Sequence, residues 1–212
     1  AARVVTVGER AIILEDDLLG DGWGQEAVLL ALAATGYRAL VSGNAPELIV
    51  GHGVLGRLIA RLSLALGNEP PTVWETNPVR LSDGEGYAVV HPDADARRDY
   101  ATICDVSGDA AILDSVIPRL GAGGEIVLAG FYAAPLEFAF PPAFMREARI
   151  RISAEWKPSD LHGVKALISE GRLSLDGLIT HRCAAADASS AYETAFGDAA
   201  CLKMILDWRD DS

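Results

Sequence analysis

Basic residues are scarce in this chain, with 18 Lys and Arg against 30 Asp and Glu and a formal net charge of −12 over 212 residues. A surface of that sign repels phosphate backbones and anionic bilayers at long range, which argues against nucleic acid as a partner. Cysteine is equally sparse. Cys104, Cys183 and Cys201 lie far apart and form no CxxC pair, so neither a disulfide framework nor a local zinc knuckle is indicated and a cytoplasmic setting is expected. No apolar run approaches the roughly 20 residues that span a bilayer. There is no initiating Met and no secretion signal, and Ala1-Ala2-Arg3-Val4-Val5 opens directly in strand-like sequence, which reads as an internal cut.

What is plentiful is apolar sequence. Half of the residues are hydrophobic and 23% are charged, the balance of a folded globular chain rather than a disordered acidic one. The length suits one domain with appended elements.

Short β-branched runs fall at 4–14, and the pattern becomes helical over 22–37, where Val28, Leu29, Leu30, Leu32 and Ala33 form an apolar stripe. Glu47-Leu48-Ile49-Val50 reads as a strand, followed by a glycine-rich turn and then Leu58, Ile59, Leu62 and Leu66 at helical spacing. Pro70-Pro71 stops that helix, and strands are predicted at 72–75, 87–90, 101–106, 125–129 and 150–154. A helix is predicted over 110–120 with a glycine turn at 121–124, another over 159–170, an extended piece at 178–181, and helices over 185–196 and 201–208. The aromatic, proline-rich stretch 131–144 is too irregular for a regular element. Short apolar strands alternating with helices predict an α/β fold whose mostly parallel sheet is covered on both faces.

The informative turn is Gly51-His52-Gly53-Val54-Leu55-Gly56. In a GxGxxG at the end of a strand, the first glycine permits the tight turn, the second lets pyrophosphate approach the backbone, and the third lets helix and strand pack closely. The helix N-terminus then offers free amides and a positive dipole end, so an acidic protein needs no basic patch to hold a dinucleotide. Glu75 ends the second strand 19 residues after Gly56, where a carboxylate accepts from ribose hydroxyls and repels a 2′-phosphate, favouring NAD over NADP. His52, inside the turn, reads either as a residue within reach of phosphate or simply as an exposed histidine. Val106-Ser107-Gly108 and Gly130-Phe131 follow two later strands at the edge where doubly wound sheets bind ligands. Asp105, Arg146 and Lys203 are chemically capable, but spacing assigns no catalytic residue, and the four histidines make no metal-ligand pattern. Tyr132, Phe138, Phe140, Phe144 and Trp156 make an aromatic region suited to packing or to a flat ligand.

With these residues the chain resembles the medium-chain dehydrogenases, most closely the members that act on bacteriochlorophyllides. The resemblance is carried by ELIVGHGVLGRL at 47–58, VWETNP at 73–78, GGEIVLAGFY at 123–132, FAFPPAFMREARIRISAEW at 138–156 and GRLSLDGLITHR at 171–182. It implies a Rossmann-type doubly wound sheet and NAD as cofactor. The implied reaction is NAD-linked oxidation of the 3-(1-hydroxyethyl) group of a bacteriochlorophyllide to acetyl in bacteriochlorophyll biosynthesis. It also implies a GroES-like catalytic domain ahead of the fingerprint that is largely absent here, leaving zinc use outside what this chain carries. The expected organisation is residual N-terminal strands and a connecting helix at 1–36, an NAD-binding domain at 37–180, and a C-terminal helical segment at 181–212. A homodimer and peripheral contact with pigment-synthesis membranes accompany that reading. A dehydrogenase for another hydrophobic secondary alcohol, or a non-catalytic Rossmann-like interaction module, are the competing expectations.

Overall fold

Leu48-Ile49-Val50 are buried without exception, as befits a strand packed on both faces. In the computed structural model, which describes residues 24–82 and 84–208, they form β1 at the middle of a six-stranded sheet. The strands are β1 (Leu48–Val50), β2 (Thr72–Trp74), β3 (Ala88–Val90), β4 (Tyr100–Asp105), β5 (Leu120–Leu128) and β6 (Arg149–Ile152). Their order is β3-β2-β1-β4-β5-β6, with every pairing parallel. This is the doubly wound order whose direction reverses between β1 and β4. The strand-like runs expected at 4–14 lie outside the described residues.

Alternate residues of each strand feed two cores. Ile49, Cys104 and Val127 face a layer containing Leu30, Ala33, Leu58, Ile59, Leu62 and Val164, from α1 (Leu30–Val41), α2 (Val54–Ala65) and a later helix, Pro158–Ser169. Leu48, Val50, Ile103, Ile126 and Leu128 face the opposite layer, with Leu113, Val116 and Ile117. Gly36 lies where α1 meets α2. A Cβ there would stand 3.1 Å from Ile59 and 3.2 Å from Leu62, so this pair packs closely because a side chain is missing. Gly36 and Tyr37 both lie inside α1, a helix of this core.

Several elements differ from expectation. The helix predicted over 110–120 shrinks to α3 (Leu113–Val116) and a 3-10 turn, Ile117–Arg119, because Pro118 lacks the amide that another helical turn would need. The glycine turn at 121–124 is absorbed into β5, whose pairing with β4 shifts between Tyr100 and Thr102. The stretch called irregular contains a short helix, α4 (Phe140–Met145), with prolines in its first turn. Pro158–Ser169 is then α5. The extended piece expected at 178–181 becomes a strand only from its last residue, as β7 (His181–Ala184).

Residues 201–208 are not a helix. Met204–Asp207 is β8, paired in parallel with β7 beneath α6 (Ala188–Gly197). The four residues Met204-Ile205-Leu206-Asp207 are too short a run to nucleate a helix by themselves, and pairing with β7 decides their conformation. Lys203, expected in that helix, instead precedes β8, and its carbonyl accepts from the Thr180 and His181 amides. Among the described residues no helix is long and apolar enough to cross a membrane.

Candidate dinucleotide site

Val50 and Asp105 lie opposite each other where the strand order reverses. Chains leaving the two strands part there and open a crevice, the place where doubly wound sheets take ligands. A cleft of about 400 Å³ occupies the position. Among its walls are Gly51 and Gly53 from the turn after β1, Trp74, Glu75 and Arg80 from β2 and its loop, and Val106 and Ser107 after β4.

The glycines meet the geometric demands separately. Gly51 has φ +105°, a conformation that L side chains rarely adopt, and its amide donates to the Trp74 carbonyl at 2.9 Å. Gly53 stands immediately before α2, and no side chain caps the first amides of that helix. Gly56 packs inward, where a Cβ would sit 1.8 Å from the Gly51 carbonyl oxygen. The bare turn and uncapped helix start are what a pyrophosphate requires.

Glu75 is 9% exposed. Its Oε2 accepts the His52 amide at 3.0 Å, and its Oε1 accepts the Thr76 and Asn77 amides, both at 2.8 Å. A carboxylate has about four lone-pair sites, so acceptor capacity remains toward the cleft. Arg80 lies across the glycine turn. Its Nε donates to the Ala199 carbonyl at 2.7 Å, and its Nη1 would be 3.8 Å from a Cβ on Gly53.

The expectation for His52 is corrected. Its side chain is fully buried, with Nδ1 2.8 Å from the Arg80 carbonyl oxygen and Nε2 3.0 Å from the Tyr87 hydroxyl. The turn points the ring into the protein rather than toward phosphate, and burial lowers its pKa below the ordinary histidine value. Val54 borders a different hollow beneath α6, and Leu55 packs against the α1–α2 core.

Val106 and Ser107 line the cleft as expected. Gly108 and Gly130 sit where two loops cross: a Cβ on Gly108 would be 3.2 Å from the Phe131 carbonyl, and one on Gly130 would be 3.3 Å from Val106 Cα. The Phe131 side chain does not line the cleft and is 92% exposed. Beneath the crossing, buried Asp105 accepts from the Tyr132 hydroxyl and, at 3.1 Å, from the Ser107 amide. Burial raises the pKa of both Asp105 and Tyr132. Asp105 thus braces the two loops instead of facing a ligand.

Trp74, Thr76, Arg80, Pro92, Asp109, Ile112 and Ser115 also line the cleft, and none was singled out from sequence. Position after a strand end was the available signal for most of them. Among the described residues, no three His, Cys, Asp or Glu side chains gather to hold a metal.

No protein-family profile matches the chain. Among the curated proteins that do match are two named 2-desacetyl-2-hydroxyethyl bacteriochlorophyllide A dehydrogenase. The Rhodobacter capsulatus protein is 57% identical over 210 residues, covering 98% of this chain and 65% of its own length. The Cereibacter sphaeroides protein is 55% identical over 209 residues, covering 98% and 64%. The chain therefore spans just under two thirds of the length of these relatives. Among solved structures, acetophenone reductase from Geotrichum candidum in complex with NAD superposes with a TM-score of 0.74 at 19% identity, over 91% of this chain and 59% of that one. Over the stretch it shares with them, the chain is a close homologue of these two bacteriochlorophyllide dehydrogenases.

Proposed function

We propose that the protein carrying this chain is an NAD-dependent dehydrogenase that oxidises the hydroxyethyl group of a bacteriochlorophyllide to acetyl, and that this chain supplies its dinucleotide site. The observation that carries the reading is the identity of 55–57% along nearly the whole chain to dehydrogenases named for that substrate. The cleft fits the cofactor, since the Gly51–Gly56 approach leaves no room for a Cβ and the first amides of α2 have no side-chain cap.

Bound there, NAD would supply the acceptor for the hydride lost from the alcohol carbon, so that alcohol and NAD⁺ become ketone, NADH and a proton. The chain's own part is to bind and orient. Gly51, Gly53 and the start of α2 would hold the pyrophosphate. Glu75 would accept from the adenosine ribose and exclude a 2′-phosphate, while Val106 and Ser107 close the far wall. Phe131 stands exposed beyond the Gly108–Gly130 crossing and offers an apolar face to a flat pigment. The reading also includes a homodimer, supported by β6, an edge of the sheet that carries exposed Ile150 and Ile152. Peripheral contact with pigment-bearing membranes would draw on exposed Phe140 and Phe144.

The test is NADH formation by the protein at the full length of its relatives, given the hydroxyethyl pigment and, in parallel, other hydrophobic secondary alcohols. Turnover of the alcohols without turnover of the pigment would replace the substrate assignment. Absence of NAD binding by calorimetry in a folded sample would favour a non-catalytic module. Glu75→Ala should cut the preference for NADH over NADPH by about tenfold or more, equivalent to roughly 1.4 kcal/mol, and an unchanged ratio would remove Glu75 from that role.

A further inference from the structure

A side chain between the first two glycines of this turn can face either the ligand or the protein. His52 faces the protein, with both ring nitrogens engaged. The Arg80 carbonyl only accepts, so Nδ1 carries the proton. In the neutral ring Nε2 must then accept, and the Tyr87 hydroxyl donates to it. The rings of His52 and Tyr87 meet edge to face, with centroids 5.7 Å apart. Both partners lie on the segment joining β2 to β3, so the imidazole connects the glycine turn to the loop carrying Glu75 and Arg80.

Arg80 is thereby held at both ends. Its carbonyl accepts from His52 Nδ1–H and its Nε donates to the Ala199 carbonyl, leaving the guanidinium over Gly53. Its amide donates to the Asn77 carbonyl at 2.9 Å, which joins it to the turn closed on Glu75. A cation over Gly53 serves a pyrophosphate, but beside Glu75 it would offset the repulsion of a 2′-phosphate. Which of these it does depends on where the Arg80 backbone is anchored. The charged side chains acting on the imidazole are Arg57, Arg61 and Glu75. Arg57 is tied in place by its own bond to the His52 carbonyl at 3.1 Å.

We infer that His52 is a positioning residue for nucleotide selection, which keeps the Arg80 guanidinium over the glycine turn and away from the ribose corner at Glu75. The inference rests on the dinucleotide reading above and deepens it.

The test measures Kd for NADH and for NADPH, with thermal stability alongside, on the full chain and its variants. In His52→Asn the amide NH₂ takes the place of Nδ1 and keeps the bond to Arg80; in His52→Gln the amide takes the place of Nε2 and keeps only the Tyr87 side. His52→Asn should hold the NADH preference within about threefold of wild type. His52→Gln should lose roughly tenfold of it, the upper range for one net hydrogen bond. Adding Arg80→Ala should erase the difference between the two. Parallel falls in affinity and stability for Asn and Gln, with the NADH:NADPH ratio unchanged, would mean that His52 only packs and would overturn the inference. Wild-type protein that binds NADH while His52→Gln leaves the ratio intact also overturns it, but spares the dinucleotide reading. Wild-type protein that binds neither nucleotide removes that reading and the inference together.

Discussion

Replacing Gly56 by Ala should damage stability and nucleotide binding together. The added methyl would stand 1.8 Å from the Gly51 carbonyl oxygen and 3.4 Å from Val106 Cγ2. Ordinary contact begins at 3.4 Å, so the helix or the carbonyl must retreat by about 1.6 Å. Neither is a flexible side-chain end, and the Gly51 amide is pinned to Trp74. Overpacking by one methylene costs about 1–3 kcal/mol where neighbours can relax, so about 3 kcal/mol is the reasonable figure here. For a domain of this size that lowers Tm by about 6–12 °C. The retreat also displaces the start of α2. Each charge-assisted bond lost to a phosphate is worth about 1.5–3 kcal/mol, so NADH affinity should fall more than tenfold. Scanning calorimetry and NADH fluorescence titration read the two effects. Gly197→Ala is the control: nothing lies within 4 Å of its Cβ position at the end of α6, and its φ is not in the left-handed region. That change should be neutral or stabilise by up to about 1 kcal/mol. A Tm within about 2 °C of wild type for Gly56→Ala, with unchanged affinity, would refute the packing argument.

Two more perturbations test the cleft and its supports. Asp105 has a raised pKa, so the folded state holds the proton more tightly than the unfolded chain. Its contribution therefore makes stability fall as pH rises from about 4, the ordinary Asp range, through the raised value, and the full penalty is present only above that value. Asp105→Asn, which keeps an acceptor for the Ser107 amide, should flatten that slope in urea unfolding measured across the window; an unaltered slope would contradict the assignment. Trp74 lines the cleft with its indole N–H held by Asp95 at 2.7 Å. Bound NADH should quench its emission, and Trp74→Phe should remove most of that quench. Undiminished quenching in the variant would place the nucleotide elsewhere.

Local sequence carries much of this architecture. β1 is legible because a strand covered on both faces must be apolar at successive positions, as Leu48, Ile49 and Val50 are. Gly51 and Gly56 are legible because a positive φ and a missing Cβ are demands on single residues. Glu75 follows from position at the end of β2. The aromatic segment after β5 shows where this local information stops: Tyr132 turns inward to Asp105, whereas Phe140 remains exposed, though both read alike in sequence.

The alternation of strands and helices, the glycine turn and the acidic strand end are all legible along the chain. Each depends on contacts within a few residues or on the identity of a single one. That His52 turns inward, that Arg80 lies over Gly53 and that Met204–Asp207 is a strand appear only once the chain has folded. Those outcomes are set by partners far along the chain: Tyr87 and the Arg80 carbonyl for His52, Ala199 for Arg80, and β7 for β8. A side chain's direction depends on which loop the sheet order brings beside it, and that neighbour does not exist until the sheet has formed.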